Sequence, residues 1–316
     1  MHILITEPVH QAALDCFAEK GVQVIADYDG ESWEPVERIR AIVTRSFKVT
    51  SEVLDRLPAL EIVAKYGVGV NTIDLDACAA RGVKVTNLPG ANANSVAEHG
   101  VALLNAAIRD LIVCDTVARE GRFEDRFGIR FMAELTDANV GIYGGGRIGR
   151  RIADICHAGY QCPIGLYDPF LPGGTWDDLS VNRFDAISDM FDWADYVVIA
   201  APLTDQTRKS VGADELRRLG SDGIVVVSSR GGIVDEDALA EAVSSGTIRG
   251  AGLDVFDGEP PDPASPLFSL KQIVVTPHVG GASEKSRRRM GLQLCEQVWA
   301  LLNGQDTILV GNEAWL

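Results

Sequence analysis

Residues 139–159 read "NVGIYGGGRIGRRIADICHAG". An apolar run of strand length meets Gly144, Gly146 and Gly149 in a GxGxxG pattern, and a helical pattern follows directly. The first glycine permits a tight turn, the second lets a bulky anion approach the backbone, and the third lets helix and strand pack closely. The helix start, with Arg147 and Ile148 in its first turn, adds free amides and a partial positive charge. Any tight strand-to-helix turn could show the same pattern, so its surroundings matter. The next strand, "PIGLYD", ends in Asp168, 19 residues after Gly149. A carboxylate there can accept hydrogen bonds from a ribose and repel a 2′-phosphate, which points to NAD rather than NADP. The plain alternative is that Asp168 and Pro169 begin a turn.

Working outward, short β-rich runs alternate with amphipathic stretches along the whole chain. "HILIT", "VQVIA", "AIVTR", "LEIVAKYG" and "VKVTN" form one series; "NVGIYG", "PIGLYD", "DYVVIAA", "GIVVVSS", "RGAGLDVF" and "QIVVTPH" form a second. This βαβα alternation predicts parallel sheets covered by helices. At 316 residues the chain exceeds the size of one ordinary core, so two doubly wound parallel-sheet α/β domains are expected. The first is flavodoxin-like and substrate-binding, over residues 1–93 plus 285–316; the second is a Rossmann domain over 94–284. Residues 94–120 read as one long helix capped by Asn94 or Ser95. A cleft between the domains would close about 91–96 and 281–285.

Composition narrows the partners. With 45 acidic against 29 basic side chains, the formal charge of -16 repels phosphate backbones and anionic headgroups, so neither nucleic acid nor membrane is expected as a partner. Cys16, Cys78, Cys114, Cys156, Cys162 and Cys295 never form a CxxC pair. They are expected to be buried, reduced thiols, with no metal. "MHILITEPV" lacks the pattern of a leader and no long apolar run follows, so a cytoplasmic location is expected.

Arg230, Glu259 and His278 each follow the end of a strand in the second series, at the edge where open α/β sheets bind ligands. Singly they have dull explanations: a carbonyl cap, a solvated loop acid, a locally bonded imidazole. Together they suit carbonyl reduction. An imidazole exchanges the hydroxyl proton, a neighbouring carboxylate favours its protonated form, and an arginine polarises the carbonyl or grips a carboxylate.

At this point the chain resembles the D-isomer-specific 2-hydroxyacid dehydrogenase family. The resemblance rests on "KYGVGVNTIDLDACAARGVKVTNLPGANANSVAEHG", "VGIYGGGRIGRRIA", "APLTDQTRKSVG", "SSRGGIVDEDAL", "GAGLDVFDGEP" and "TPHVGG", in the family's order. It implies that Arg230 binds substrate and that Glu259 and His278 form the acid–base relay. It further implies that Asp254 lies at the nicotinamide end, and that Pro202, Ser228 and Gly280 contact the cofactor. Val68 and Gly69 would offer backbone amides to the substrate carboxylate, with Arg45 and Lys65 reading a distal phosphate or other anion. The phosphoglycerate dehydrogenase branch is the most similar, through "VTRSFKVTSEVLDRLP" and "KYGVGV". A homodimer through the 94–120 helix and "FEDRFGIRFMAEL" is implied likewise.

The chain also departs from the family's pattern. Asn71 and Thr72 replace the commoner Asp-Asn pair, Ala200 stands where many members have His, and "LTDAN" lacks the usual Gly-Lys turn. The interval from Glu259 to His278 is short, and no serine-sensing regulatory domain is expected after residue 316. His99, in "VAEHG", reads as scaffold, and the Lys285 to Arg289 run as a solvated or ion-paired helix face.

The expectation is an NAD-dependent enzyme interconverting a small anionic D-2-hydroxy acid and its 2-keto acid, 3-phosphoglycerate first. The alternatives are a hydroxypyruvate/glyoxylate reductase, or an NAD-sensing corepressor-like binding protein, because fold does not fix function. A formate dehydrogenase-like reading is disfavoured, since hydride abstraction from formate needs no acid such as a Glu-paired His.

Overall fold

The computed structural model describes residues 1–28, 33–129 and 132–310. The chain divides into two compact units, Met1–Asn92 with the segment from Ala282 onward, and Ala93–Gly281. The first unit runs β1 (His2–Ile5), α1 (Gln11–Glu19), β2 (Gln23–Ala26), β3 (Ile39–Thr44), α2 (Ser51–Asp55), β4 (Ile62–Lys65), α3 (Leu75–Ala80) and β5 (Lys84–Thr86). The second runs α4 (Ala93–Ile108), α5 (Leu111–Arg119), β6 (Val140–Tyr143), α6 (Arg147–Tyr160), β7 (Ile164–Tyr167), β8 (Asn182–Arg183), α7 (Ile187–Trp193), β9 (Tyr196–Ile199), α8 (Ala213–Leu219), β10 (Ile224–Val227), α9 (Glu236–Ser244), β11 (Gly250–Leu253) and β12 (Ile273–Val275). Helix α10 (Glu284–Leu302) then completes the first unit.

Every strand pair is parallel. The first sheet has the order β2-β1-β3-β4-β5, the flavodoxin-like arrangement; the second has β12-β11-β10-β9-β6-β7-β8, the Rossmann arrangement with one further edge strand. Because both faces are covered, the central strands are apolar throughout, and successive residues serve opposite cores. Ile3, Ile5 and Val43 pack with Phe17 of α1 and Leu294 and Val298 of α10. Leu4, Ile42 and Val63 pack with Leu54 of α2 and Cys78 of α3 on the other face. In the second sheet Val140, Ile142 and Val226 meet Leu104 of α4 and Ile152 of α6, while Val197, Val225 and Val227 meet Phe191, Leu216 and Leu239 of α7, α8 and α9.

Two expectations need correction. The helix expected over 94–120 is two helices, with Asp110 between them in a left-handed conformation at φ 46°. The break has a tertiary cause: Nη2 of the buried Arg249 donates to the Ile108 carbonyl (3.0 Å) and to Asp110 Oδ2 (3.2 Å), so the end of α4 is satisfied by a side chain rather than by another turn. Nor does Ser95 cap the start. It lies inside α4, and its hydroxyl donates to the Gly280 carbonyl (2.6 Å).

The thiols are the second correction. Cys16 on α1 and Cys295 on α10 form a disulfide across 279 residues of sequence, leaving Cys78, Cys114, Cys156 and Cys162 free. These two helices pack closely enough that a Cβ added at Gly291 would meet the Cβ of Ala13 at 3.2 Å, which is what brings the two cysteines together. Among the described residues no helix is long and apolar enough to cross a membrane. The disulfide is expected to appear as a linked Cys16–Cys295 peptide in a non-reducing digest. Replacing both cysteines by serine should lower stability by about 2–4 kcal/mol in denaturant titrations; no change, or no linked peptide, would refute it.

Candidate active site

The second unit is built around the glycine turn between β6 and α6. Strand order reverses at β6, with β7 on one side and β9 on the other, and this switch point is where open α/β sheets leave a crevice. Gly144 takes φ 102°, and a Cβ there would lie 2.5 Å from the Ala201 amide nitrogen beyond β9. A Cβ on Gly149 would lie 2.0 Å from the Gly144 carbonyl oxygen. Around Gly146, by contrast, a Cβ would meet nothing within 4 Å, and no side chain caps α6. The turn is therefore tight underneath and open above, with uncapped amides facing the opening, which fits a pyrophosphate. Gly146 and Arg147 are exposed and Ile148 is half-buried beside them. Asp168, at the end of β7, accepts from the Gly145 amide (2.7 Å) and from that of Phe170 (3.0 Å), which fixes its charge beside the turn.

The residues expected to form an acid–base set follow the last three strands. Arg230 follows β10, Glu259 follows β11 and His278 follows β12. Glu259 Oε2 lies 2.6 Å from His278 Nδ1. A carboxylate oxygen only accepts, so Nδ1 carries the proton and Nε2 remains for exchange. The imidazole is half exposed (51%) and the Glu259 carboxylate less so (36%), so the pair opens to solvent on the imidazole side. Arg230 donates from Nη1 to the Ser229 carbonyl (2.6 Å). Burial pushes its pKa down, the carboxylate of Glu259 pulls the other way, and the group stays charged. The glycine after it, Gly231, is sterically required: a Cβ would lie 2.0 Å from the Phe256 carbonyl carbon and oxygen. The loop carrying Arg230 is thereby pressed against the loop that leads to Glu259.

Asp254 organises the third loop. It is buried (1% exposed), and its carboxylate accepts from Thr276 Oγ1 (2.6 Å) and from the amides of Val279 (2.9 Å) and Gly280 (2.8 Å). Its carbonyl also accepts from the His278 amide (2.9 Å). These bonds hold His278 at φ 52°, a left-handed conformation uncommon outside glycine. His99 joins the network through Nε2, 2.9 Å from Thr276 Oγ1 and 3.4 Å from Asp254 Oδ1. Because the Thr276 proton goes to Asp254, His99 Nε2 must be the donor. His99 is scaffold, as its sequence suggests, but scaffold to this network.

The Pro202 carbonyl accepts from Thr207 Oγ1 (2.7 Å). The Ser228 hydroxyl is buried, 3.0 Å from where Gly100 of α4 would carry a Cβ. In the first unit no acceptor among the described residues pairs with the Val68 and Gly69 amides. Their loop is held by Asn87 Nδ2 on the Val68 carbonyl (2.6 Å) and by the Leu88 amide on the Gly67 carbonyl (2.8 Å). Arg45 is exposed, whereas Lys65 is buried (7% exposed), its ammonium donating to the Arg45 carbonyl and to Thr72 Oγ1 (3.0 Å). Glu7, at the end of β1, draws no notice in the sequence, yet its carboxylate accepts from the amides of Arg45, Ser46 and Phe47. Among the described residues no three His, Cys, Asp or Glu side chains gather as a metal site would require.

A sheet of this order, with an open and uncapped glycine turn at its switch point, makes the second unit a dinucleotide-binding domain. Residues 101–280 match the family model "D-isomer specific 2-hydroxyacid dehydrogenase, NAD binding domain". The chain belongs to the D-isomer-specific 2-hydroxyacid dehydrogenase family. It is 34% identical over 310 residues to D-3-phosphoglycerate dehydrogenase of Archaeoglobus fulgidus, covering 96% of this chain and 58% of that one. It therefore spans little over half the length of that relative. It is also 34% identical over 267 residues to hydroxypyruvate reductase of Thermotoga maritima, covering 84% and 85% of the two chains. The crystal structure of an NADPH-dependent glyoxylate/hydroxypyruvate reductase from Sinorhizobium meliloti matches with a TM-score of 0.88 at 30% identity, covering 99% of each chain.

The Asp254 network has a signed pH consequence. Burial works to raise the Asp254 pKa, but the donors His99, Thr276, Val279 and Gly280 together hold it below the usual carboxyl range. A depressed folded pKa gives stability that is complete above the unfolded value, roughly 4, and is lost as pH falls through the folded value. Asp254→Asn should therefore cost about 1.5–3 kcal/mol at pH 7 in urea unfolding, and the gap should narrow only in strong acid. A pH-independent gap would contradict this account.

Proposed function

We propose that the protein is an NAD-dependent oxidoreductase interconverting a D-2-hydroxy acid and its 2-keto acid. The observation that carries the reading is the 2.6 Å contact between His278 Nδ1 and Glu259 Oε2, which orients the imidazole and leaves Nε2 for proton exchange. The amides around Gly146 and the first turn of α6, with Asp168, would hold the dinucleotide. When bound, the nicotinamide supplies hydride exchange at the substrate's C2. His278 gives a proton to the C2 oxygen in reduction and takes it back in oxidation. Glu259 orients the imidazole through its Nδ1–H, and the Arg230 guanidinium polarises the carbonyl and steadies the carboxylate. The unpaired Val68 and Gly69 amides suit a carboxylate as well. Arg45 would read a distal anion, which favours 3-phosphoglycerate. The Thermotoga and Sinorhizobium relatives keep hydroxypyruvate and glyoxylate as the second reading.

The test is nicotinamide oxidation with phosphohydroxypyruvate, hydroxypyruvate and glyoxylate, each with NADH and NADPH. Turnover should prefer NADH, because Asp168 opposes a 2′-phosphate, and His278→Ala should lose about 10²–10⁴-fold in kcat. An unchanged kcat in that variant would sink the mechanism, and an NADPH preference would sink the role of Asp168. Dinucleotide binding with no turnover of any keto acid would favour a sensing protein.

The partner proposed is a second copy of the chain. Leu111, Ile112, Phe123, Phe127 and Met132 expose large apolar side chains within one stretch of sequence, of which residues 130 and 131 lie outside the described set. Such a surface is costly in water unless covered. Light scattering should give twice the monomer mass, and Phe123→Asp with Phe127→Asp should halve it; a monomeric wild type would refute the dimer.

A further inference from the structure

Arg45 stands at a place the fold makes special. In the first sheet the strand order reverses between β1 and β3, so their carboxyl ends border the crevice in which a sheet of this type receives ligands. Glu7 leaves β1 there and Arg45 leaves β3. Both polar groups of the Arg45 peptide are gripped by charged side chains. Its amide donates to Glu7 Oε2 (2.5 Å), and its carbonyl accepts from the Lys65 ammonium. Glu7 also takes the next two amides, Ser46 at 2.7 Å and Phe47 at 3.0 Å, so one carboxylate orders the whole turn. Burial works to raise the Glu7 pKa, but the three amides prevail and hold it low, so the clamp is ionised at neutral pH. The Arg45 guanidinium, by contrast, has no hydrogen-bond or ion-pair partner among the described residues and is exposed.

The second half of the device is Thr72. The ammonium that holds the Arg45 carbonyl also donates to Thr72 Oγ1 (3.0 Å), at the far end of the loop carrying Val68 and Gly69. The Thr72 carbonyl in turn accepts from the Val49 amide (2.8 Å), and the Asp74 amide donates to the Val49 carbonyl (2.9 Å). Two loops that leave different strands are thus joined at one buried cation and stitched again at Val49. A buried ammonium is costly to move because each of its donors must be satisfied, so it fixes the loops' spacing firmly. A neutral hydroxyl at position 72 suits this role, since it can accept from the lysine while adding no second charge.

We propose that Glu7, Lys65 and Thr72 are positioning residues that set the span between the Arg45 guanidinium and the Val68–Gly69 amides, so that this unit selects 2-keto acids carrying a second anion at a fixed distance from the carboxylate. Lys65 then acts on substrate through the backbone of Arg45 and the side chain of Thr72. The inference rests on the dehydrogenase reading and adds to it a source of chain-length and charge selectivity.

The test compares phosphohydroxypyruvate with hydroxypyruvate, which differ only in the distal phosphate. For the wild type, kcat/KM should favour the phosphorylated acid. Glu7→Gln and Thr72→Val should each lower the ratio of the two kcat/KM values at least tenfold, with the loss carried by KM for the phosphorylated acid. Thr72→Ser, which keeps the hydroxyl, should restore the ratio. A merely structural role would lower both kcat/KM values together and leave their ratio in place, and that result would overturn the proposal. So would a wild type that shows no preference for the phosphorylated acid. A wild type that reduces glyoxylate but neither of these acids overturns this proposal and leaves the dehydrogenase reading standing, whereas one that binds NADH and reduces no keto acid at all removes that reading before any variant is compared.

Discussion

Parallel strands joined by helical crossovers all point the same way, so every loop that leaves a strand's carboxyl end emerges at one edge of its sheet. The arrangement of the candidate site residues in both units depends on this constraint. In the second unit the glycine turn, Asp168, Arg230, Glu259 and His278 follow β6, β7, β10, β11 and β12. In the first, Glu7, Arg45 and the Val68–Gly69 loop follow β1, β3 and β4. None of these side chains had to be carried far. The sheet supplies convergence, and the loops supply only local aim.

Aim comes from polar groups with fully assigned partners. Asp254 is the main instance: it spends its carboxylate and its carbonyl on the turn that bears His278, and holds that residue in a backbone conformation it would rarely adopt unaided. Glu7 does the corresponding work for Arg45. Each acidic group is buried or half-buried, each accepts several donors, and each acts on a neighbour exposed enough to meet a ligand. Steric exclusion complements them, since the contact between Gly231 and Phe256 fixes two loops without any hydrogen bond.

The parts legible in the sequence are those whose signal is local. Strand composition and the GxGxxG spacing place both sheets and the glycine turn, and the positions of Arg230, Glu259 and His278 after apolar runs put them on one edge. What was not legible depends on contacts distant in sequence. Arg249 ends α4 from 141 residues away, and Cys16 meets Cys295 only because α1 and α10 share a core. The family resemblance makes Lys65 a ligand contact, whereas the packed structure turns its ammonium onto the Arg45 carbonyl and the Thr72 hydroxyl. Glu7 gave no signal at all, since an acid before a proline is ordinary in a loop and its three amide partners lie about forty residues on.

The link between Cys16 and Cys295 also alters the connectivity of the molecule. The whole of Ala93–Gly281 lies inside the covalent ring that this bond closes. A single backbone cut anywhere between the two cysteines, in a loop of either unit, opens the ring without releasing a fragment. While the bond is intact, a nicked chain remains one covalent molecule, with both ends of the break tethered through α1 and α10.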